Sequence, residues 1–224
     1  MQTAAPHRRL PIVVLLSGRG SNLEAILNAI QHGELNVDVR AVISNRANAP
    51  GLDIARAAGI ETRILNASDY PDRESFDTAM QQLIDQFEPV LVVLAGYMRI
   101  LSDPFVQHYA GRLLNIHPSR LPAFRGLNTH QRAIDAGASE HGASVHFVTE
   151  ELDGGPVVLQ GTVPVRADDT AESLAERVLA QEHLIYPMVL QWYAEGRLEW
   201  RDGEVLLDSR VLKSPQQFAG PGSV

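Results

Sequence analysis

The sequence contains no cysteine, which excludes disulfides, thiolate metal sites and cysteine nucleophiles together. It also lacks any apolar run approaching the roughly 20 residues of a membrane-spanning helix; PIVVLL, at 11–16, is far too short. The opening MQTAAPHRRL has no secretory or anchor pattern, so a cytoplasmic protein is expected, without a membrane partner. Basic charge is scarce, with 19 Lys and Arg against 27 Asp and Glu and a formal net charge of -8. Sequence-independent binding to nucleic acid depends on cationic surface and is therefore not expected, while a local cationic pocket for an anionic metabolite remains possible. No HExxH occurs, and His130, His141 and His146 lack zinc-ligand spacing, so no metal is assigned. Ser17, Ser21 and Ser119 lie outside any G-x-S-x-G context, which argues against a serine hydrolase.

What is present is an ordinary globular composition, 45% hydrophobic and 21% charged over 224 residues. Continuous β-branched runs at 12–17, 37–44, 61–65, 89–96, 112–117 and 143–148 indicate strands covered on both faces. Between them, 21–33, 52–59 and 73–87 carry apolar residues at helical spacing, the first two closing on a glycine. Repeated strand–helix–strand units predict an α/β fold: a mostly parallel twisted sheet with helices on both faces, the last strand antiparallel. VVLQGTVPV reads as that last strand, followed by one long helix over 169–196 with a Thr or Asp cap and a small hairpin around Asp202-Gly203. One domain is expected over 10–205, with loose tails at 1–9 and 212–224. Ligands of such sheets collect beyond the carboxyl ends of the strands.

Two places there carry chemistry. The first strand ends in Ser17-Gly18-Arg19-Gly20-Ser21-Asn22 and enters a helix at once. Position 23 is Leu rather than the third glycine of a dinucleotide fingerprint, strand two ends at Ser44-Asn45 without a ribose-binding acid, and no Gly-Lys-Ser/Thr follows. A monophosphate cradle of Gly20, Ser21 and Asn22 remains, alongside the plainer reading of a tight turn with a helix cap. The second place is the end of the fifth strand. Asn115 and His117 are two apart and project to one face, and Pro118 ends the strand. An amide can hold an oxyanion and an imidazole can move a proton. Asp153, in EELDGGP, is the candidate to keep that imidazole charged. Read locally, a strand-end histidine such as His117 is more often a packing residue and an Asp before Gly-Gly more often a turn former; His146 alternates with Ser144 and could face the same pocket, but reads as a satisfied core histidine.

Taken together, SGRGSNLEAI, LAGYMRIL, NIHPSRLPAFRG, VHFVTEELDGGP and AQEHLIYP resemble the folate-dependent phosphoribosylglycinamide formyltransferases of purine synthesis, in order over roughly 10–205. The resemblance implies transfer of the formyl group of 10-formyltetrahydrofolate, a cosubstrate, to the amine of glycinamide ribonucleotide, by a monomer or homodimer acting on small molecules. It implies catalytic roles for Asn115, His117 and Asp153. Gly20, Ser21 and Asn22 then bind the substrate's phosphate, and Glu182 pairs with its amino group. Met98, Arg99, Ile100 and Leu101 match the folate-pocket segment, which Asn115 adjoins. Thr149, Glu150, Glu151, Leu152 and Asp153 match the loop closing that pocket, and Arg73 an arginine near the folate's glutamate tail.

Arg120 and Asn128 depart from the family pattern, which has Leu and often His there, and bear on the local shape of the flanking loop. The alternative in the same chemical class is a formyltetrahydrofolate hydrolase, in which water replaces the amine. Such enzymes carry an additional amino-terminal domain, for which a first strand beginning by about residue 10 leaves no room. A transfer-RNA formyltransferase would be longer and more basic. A non-catalytic folate or nucleotide binding module would have no need of the intact trio.

Overall fold

The computed structural model describes residues 9–201 and 203–220. Its main sheet contains β1 (Leu10–Leu16), β2 (Val37–Ser44), β3 (Thr62–Ile64), β4 (Leu91–Leu94), β5 (Leu113–His117), β6 (Glu140–Phe147), β7 (Val157–Pro164) and β11 (Gln216–Phe218). Their order across the sheet is β11-β7-β6-β5-β4-β1-β2-β3. Pairing is parallel from β3 through β5. The reversed strand is β6, antiparallel to both β5 and β7, and not the last one: β7 meets β6 antiparallel but runs in the direction of β5.

The helices are α1 (Ser21–Gln31), α2 (Gly51–Ala57), α3 (Arg73–Asp85), α4 (Asp103–His108), α5 (Thr129–Asp135) and α6 (Ala171–Ala194). Alternation along β1 divides the core between the two faces of the sheet. Ile12, Val14 and Leu16 pack with Leu23 and Ile26 of α1 and Val178 and Ile185 of α6. Val13 and Leu15 pack on the other side with Phe76 and Met80 of α3 and Phe105 of α4. α4 and α5, at six and seven residues, are too short to show a hydrophobic period and were not expected.

α6 begins at Thr170 with a reciprocal cap: Ser173 N donates to Thr170 Oγ1 at 3.2 Å, and Thr170 N donates to Ser173 Oγ at 3.1 Å. Deep in the core, the Tyr186 hydroxyl lies 3.0 Å from the carbonyl oxygens of both Leu94 and Leu114. The helix is thereby tied to β4 and β5, the two strands that end at the candidate site.

The carboxyl-terminal region differs from the expectation of a loose tail. Residues 216–218 form β11, parallel to β7, with Phe218 packed against the core and Gln217 Nε2 donating to Gln160 Oε1 at 3.2 Å. Burial of one aromatic and pairing with an edge strand hold a segment whose composition alone reads as irregular. β8 (Leu198–Arg201) and β9 (Glu204–Leu207) pair as the expected hairpin, and β10 (Arg210–Val211) extends it to a separate three-stranded sheet. Asp202, residues 1–8 and residues 221–224 fall outside the described residues.

Candidate active site

β4 and β5 end side by side, with Leu94 opposite Asn115. β6 lies on the other side of β5, with His146 directly opposite Asn115 and Ser144 opposite His117. After β6 the chain folds back so that Asp153, in the left-handed conformation at φ 48, returns to His117.

Four side chains form a closed set. His117 Nδ1 is 3.5 Å from Asp153 Oδ2, with both side chains nine-tenths buried. His117 Nε2 is 3.1 Å from the Phe124 carbonyl oxygen. A carboxylate and a carbonyl both accept, so a ring bearing hydrogen on both nitrogens satisfies both contacts. Asp153 Oδ2 also accepts from Gly126 N at 2.9 Å. His146 Nδ1 lies 2.9 Å from the Phe147 carbonyl oxygen and therefore carries the hydrogen. Burial pushes the His146 imidazole down to about 4, so near neutrality its Nε2 accepts from Asn115 Nδ2 at 3.1 Å. That bond sets which way the Asn115 amide faces and leaves its second N–H for a ligand. Asp153 Oδ1 stands 3.8 Å from the same His146 nitrogen.

His146, which alternates with Ser144 on its strand and reads in the sequence as a satisfied core histidine, is buried with both ring nitrogens hydrogen-bonded. That one of its partners is Asn115 follows from the β5–β6 register, which is invisible along the chain.

The glycine loop lies at the end of β1. Gly20 has φ 81, and a Cβ there would meet the Gly51 Cα at 2.5 Å, so only glycine fits. No side chain caps α1, whose first N–H groups have no acceptor within the helix. Asn22 Nδ2 donates to Glu182 Oε2 at 2.7 Å, joining α1 to α6, while buried Asn22 Oδ1 has no hydrogen-bond partner. Burial pushes the Glu182 carboxyl up, opposed by the Asn22 bond. Ser17 Oγ donates to Asn45 Oδ1 at 2.6 Å and accepts from Met98 N at 2.8 Å. This serine thus ties the ends of β1 and β2 to the 98–101 segment.

Met98 and Ile100 leave most of their apolar side chains exposed, as does Leu152 on the returning loop for about half of its surface. Leu101 is buried, and the Arg99 guanidinium stacks 4.3 Å from the Phe76 ring centroid. The 149–155 loop is tethered by Gln107 Nε2 donating to Glu150 Oε1 at 3.1 Å and by an Arg125–Glu151 ion pair; Thr149 is half-buried at its start. Arg73 stands exposed at the start of α3, and no hydrogen bond or ion pair among the described residues joins it to the other candidates. No group of three or more metal-ligating side chains occurs among the described residues, and no helix among them is long and apolar enough to cross a membrane.

Residues 10–190 match the formyl transferase family. The chain belongs to that family. It is 54% identical to a phosphoribosylglycinamide formyltransferase of Escherichia coli over 93% of this chain and 98% of the relative. It is 45% identical to that of Haemophilus influenzae, over 90% and 95%. The solved phosphoribosylglycinamide formyltransferase of Coxiella burnetii superposes with a TM-score of 0.90 at 52% identity, covering 94% of this chain and 99% of that one. A formyltetrahydrofolate deformylase from Pseudomonas syringae shares the fold with a TM-score of 0.82, at 28% identity and over 66% of its own length. In this formyl transferase the two departures leave the buried set untouched. Arg120 pairs with Glu140 on the surface, and Asn128 occupies the left-handed position before α5 at φ 57, a conformation asparagine tolerates better than most residues.

Behind the site, His141 is fully buried with neither ring nitrogen hydrogen-bonded, its ring 5.2 Å from that of His130. Burial first, then the neighbouring His130, pushes it down to about 4. A histidine kept neutral in the fold protonates from about 6.5 once unfolded. Its contribution is therefore full above that value and is lost as pH falls from 6.5 toward 4. At pH 5 this is worth about 2 kcal/mol for each such ring. Urea unfolding at pH 7 and pH 5 is expected to show a smaller acid loss for His141→Gln than for the unaltered protein; equal losses would refute it.

Proposed function

We propose that this protein transfers the formyl group of 10-formyltetrahydrofolate to the primary amine of glycinamide ribonucleotide, in the cytoplasm, as a step of purine biosynthesis. The observation that carries the reading is the convergence of Asn115, His117 and Asp153 at the carboxyl edge of the sheet, in a chain alike over nearly its whole length to enzymes named for this reaction.

The residues supply what the reaction demands. When the amine attacks the formyl carbon, negative charge develops on the formyl oxygen. The free N–H of Asn115 is the donor available to meet it, and the His117 ring, whose nitrogens face Asp153 and the Phe124 carbonyl before substrate arrives, supplies an N–H only by exchanging the Phe124 carbonyl for the developing oxyanion. Asp153 orients the imidazole and sets a negative charge beside it, and His117 is the group placed to pass a proton to the departing folate nitrogen, balanced by the proton that the attacking amine gives up. The exposed apolar side chains of Met98, Ile100 and Leu152 suit a flat aromatic donor, and Arg99 and Leu101 pack the segment behind them. Thr149 to Asp153 close that pocket, and Arg73, free to reach solvent at α3, suits the anionic tail of the folate.

At the other end, Gly20, Ser21 and Asn22 open a helix whose first N–H groups suit a phosphate. The unpartnered Asn22 Oδ1 and the Glu182 carboxylate are the acceptors for the substrate's donors. Glu182→Gln is expected to raise the KM for the ribonucleotide. Because burial raises this carboxyl in the fold, its cost to stability appears as pH rises above the unfolded value near 4.3. The same variant should therefore melt at a higher temperature at pH 7, and a lower melting temperature would contradict this account.

The deciding experiment mixes purified protein with glycinamide ribonucleotide and formyltetrahydrofolate, with a control lacking ribonucleotide. Equal, ribonucleotide-dependent release of tetrahydrofolate and formylated ribonucleotide is expected. Release of tetrahydrofolate without ribonucleotide would make the protein a hydrolase, and no release at all would leave a binding module.

A further inference from the structure

His117 is held from two sides, and only one of the holders belongs to the catalytic trio. The other is the main-chain carbonyl of Phe124, 3.1 Å from Nε2. Phe124 has φ 56, a conformation that a bulky side chain rarely adopts and that persists only where the surroundings over-determine it.

Those surroundings are visible. The Phe124 ring meets the buried His141 ring edge-on, with centroids 5.8 Å apart and planes at 75°. On another side the Arg132 guanidinium lies 5.7 Å from the ring centroid. The chain before and after Phe124 is pinned separately. Ser119 Oγ donates to the Ala123 carbonyl at 2.7 Å, and Arg132 donates to the Arg125 carbonyl at 2.6 Å. The flanking carbonyls are thus fixed, and within Phe124 itself the ring contacts are what bear on the peptide between them.

We propose that Phe124 is a positioning residue for His117: its ring, seated between His141 and Arg132, holds a left-handed backbone whose carbonyl keeps Nε2 engaged and Nδ1 turned to Asp153. The inference deepens the proposed formyl transfer and rests on that reading for its kinetic arm. A carbonyl at Nε2 demands a hydrogen there, and a carboxylate at Nδ1 demands another. The ring is then oriented before substrate arrives, which is where positioning contributes most.

Alanine and glycine at this position separate positioning from packing. Both lose the ring. Alanine pays the same steric cost at positive φ as other L-residues and relaxes to the right-handed region, carrying the carbonyl away, whereas glycine keeps the left-handed backbone at little cost. Phe124→Ala is expected to lower kcat by about 10- to 100-fold with the KM for either substrate little changed, and Phe124→Gly to recover a large part of it. A packing role predicts the opposite order, because glycine leaves the larger void and the looser chain. Glycine equal to or worse than alanine, or both variants at full kcat, would overturn the proposal.

The ring-nitrogen NMR shifts of His117 give a readout independent of turnover. They should move in Phe124→Ala and return toward the unaltered values in Phe124→Gly; unmoved shifts in both overturn it. A protein that transfers no formyl group at all would defeat the proposed function, while these shifts would still decide the role of Phe124. Should the alanine variant not fold, Arg132→Gln removes the cation above the ring together with the bond to the Arg125 carbonyl and must displace the same signals; no displacement counts against the proposal.

Discussion

Purified His117→Ala protein should turn over roughly 100- to 10,000-fold more slowly than the unaltered chain, the range that a positioned proton donor contributes. The fold should survive, since the imidazole is placed by two contacts from loops, Asp153 and the Phe124 carbonyl, and lies at the end of β5 rather than among the packed apolar residues of either core face. The loss should fall on kcat, because the group acts on charge and protons that arise only as the bond changes. Stopped-flow or steady-state release of tetrahydrofolate measures it. Activity within a few-fold of normal in a correctly folded variant would remove His117 from the mechanism. Asn115→Ala is expected to act in the same direction through the lost amide donor, by roughly 100- to 1000-fold.

Asp153→Asn is expected to cost at least about 100-fold, and the structure makes it an unusually clean change. The position is left-handed at φ 48, which asparagine accepts. Its side-chain oxygen can still take the Gly126 N–H that now donates to Asp153 Oδ2 at 2.9 Å. What disappears is the negative charge 3.5 Å from His117 Nδ1. Breaking a buried pair of this kind costs about 3 kcal/mol or more, which corresponds to roughly 100-fold in rate if the charged ring is the form that acts. The pH profile should be displaced, because the charge that now stands 3.5 Å from His117 Nδ1 is gone. An unchanged profile would separate Asp153 from the protonation of His117, whatever happened to the rate.

The elements that could be read directly were those whose signal is local. The buried strands appear as continuous β-branched runs because both of their faces are covered, and β1 bears this out by dividing Ile12, Val14 and Leu16 from Val13 and Leu15. The cap at Thr170 is a short-range event between neighbours in the chain, whereas the glycine at 20 is required by the close approach of Gly51, so its turn is legible locally and the reason for it is not. α4 and α5 are too short for a period to show. β11 forms only because an edge of β7 and a place for Phe218 exist. None of the three is encoded within its own few residues.

The site divides along the same line. That Asn115 and His117 share a face and a strand end follows from the two-residue period and Pro118, so sequence alone determined the donor pair, as it determined the glycine loop, the excluded chemistries and the resemblance to a family. Tertiary structure decided what those donors face. It turned His146 to Asn115 through the β5–β6 register, brought Asp153 back over 36 residues to His117, joined Asn22 to Glu182 across 160 residues, and set the Phe124 carbonyl against the His117 ring. The physical reason is that hydrogen bonding and charge act over a few ångströms in space, while sequence records distance along the chain, and only strand pairing and helix packing convert one into the other.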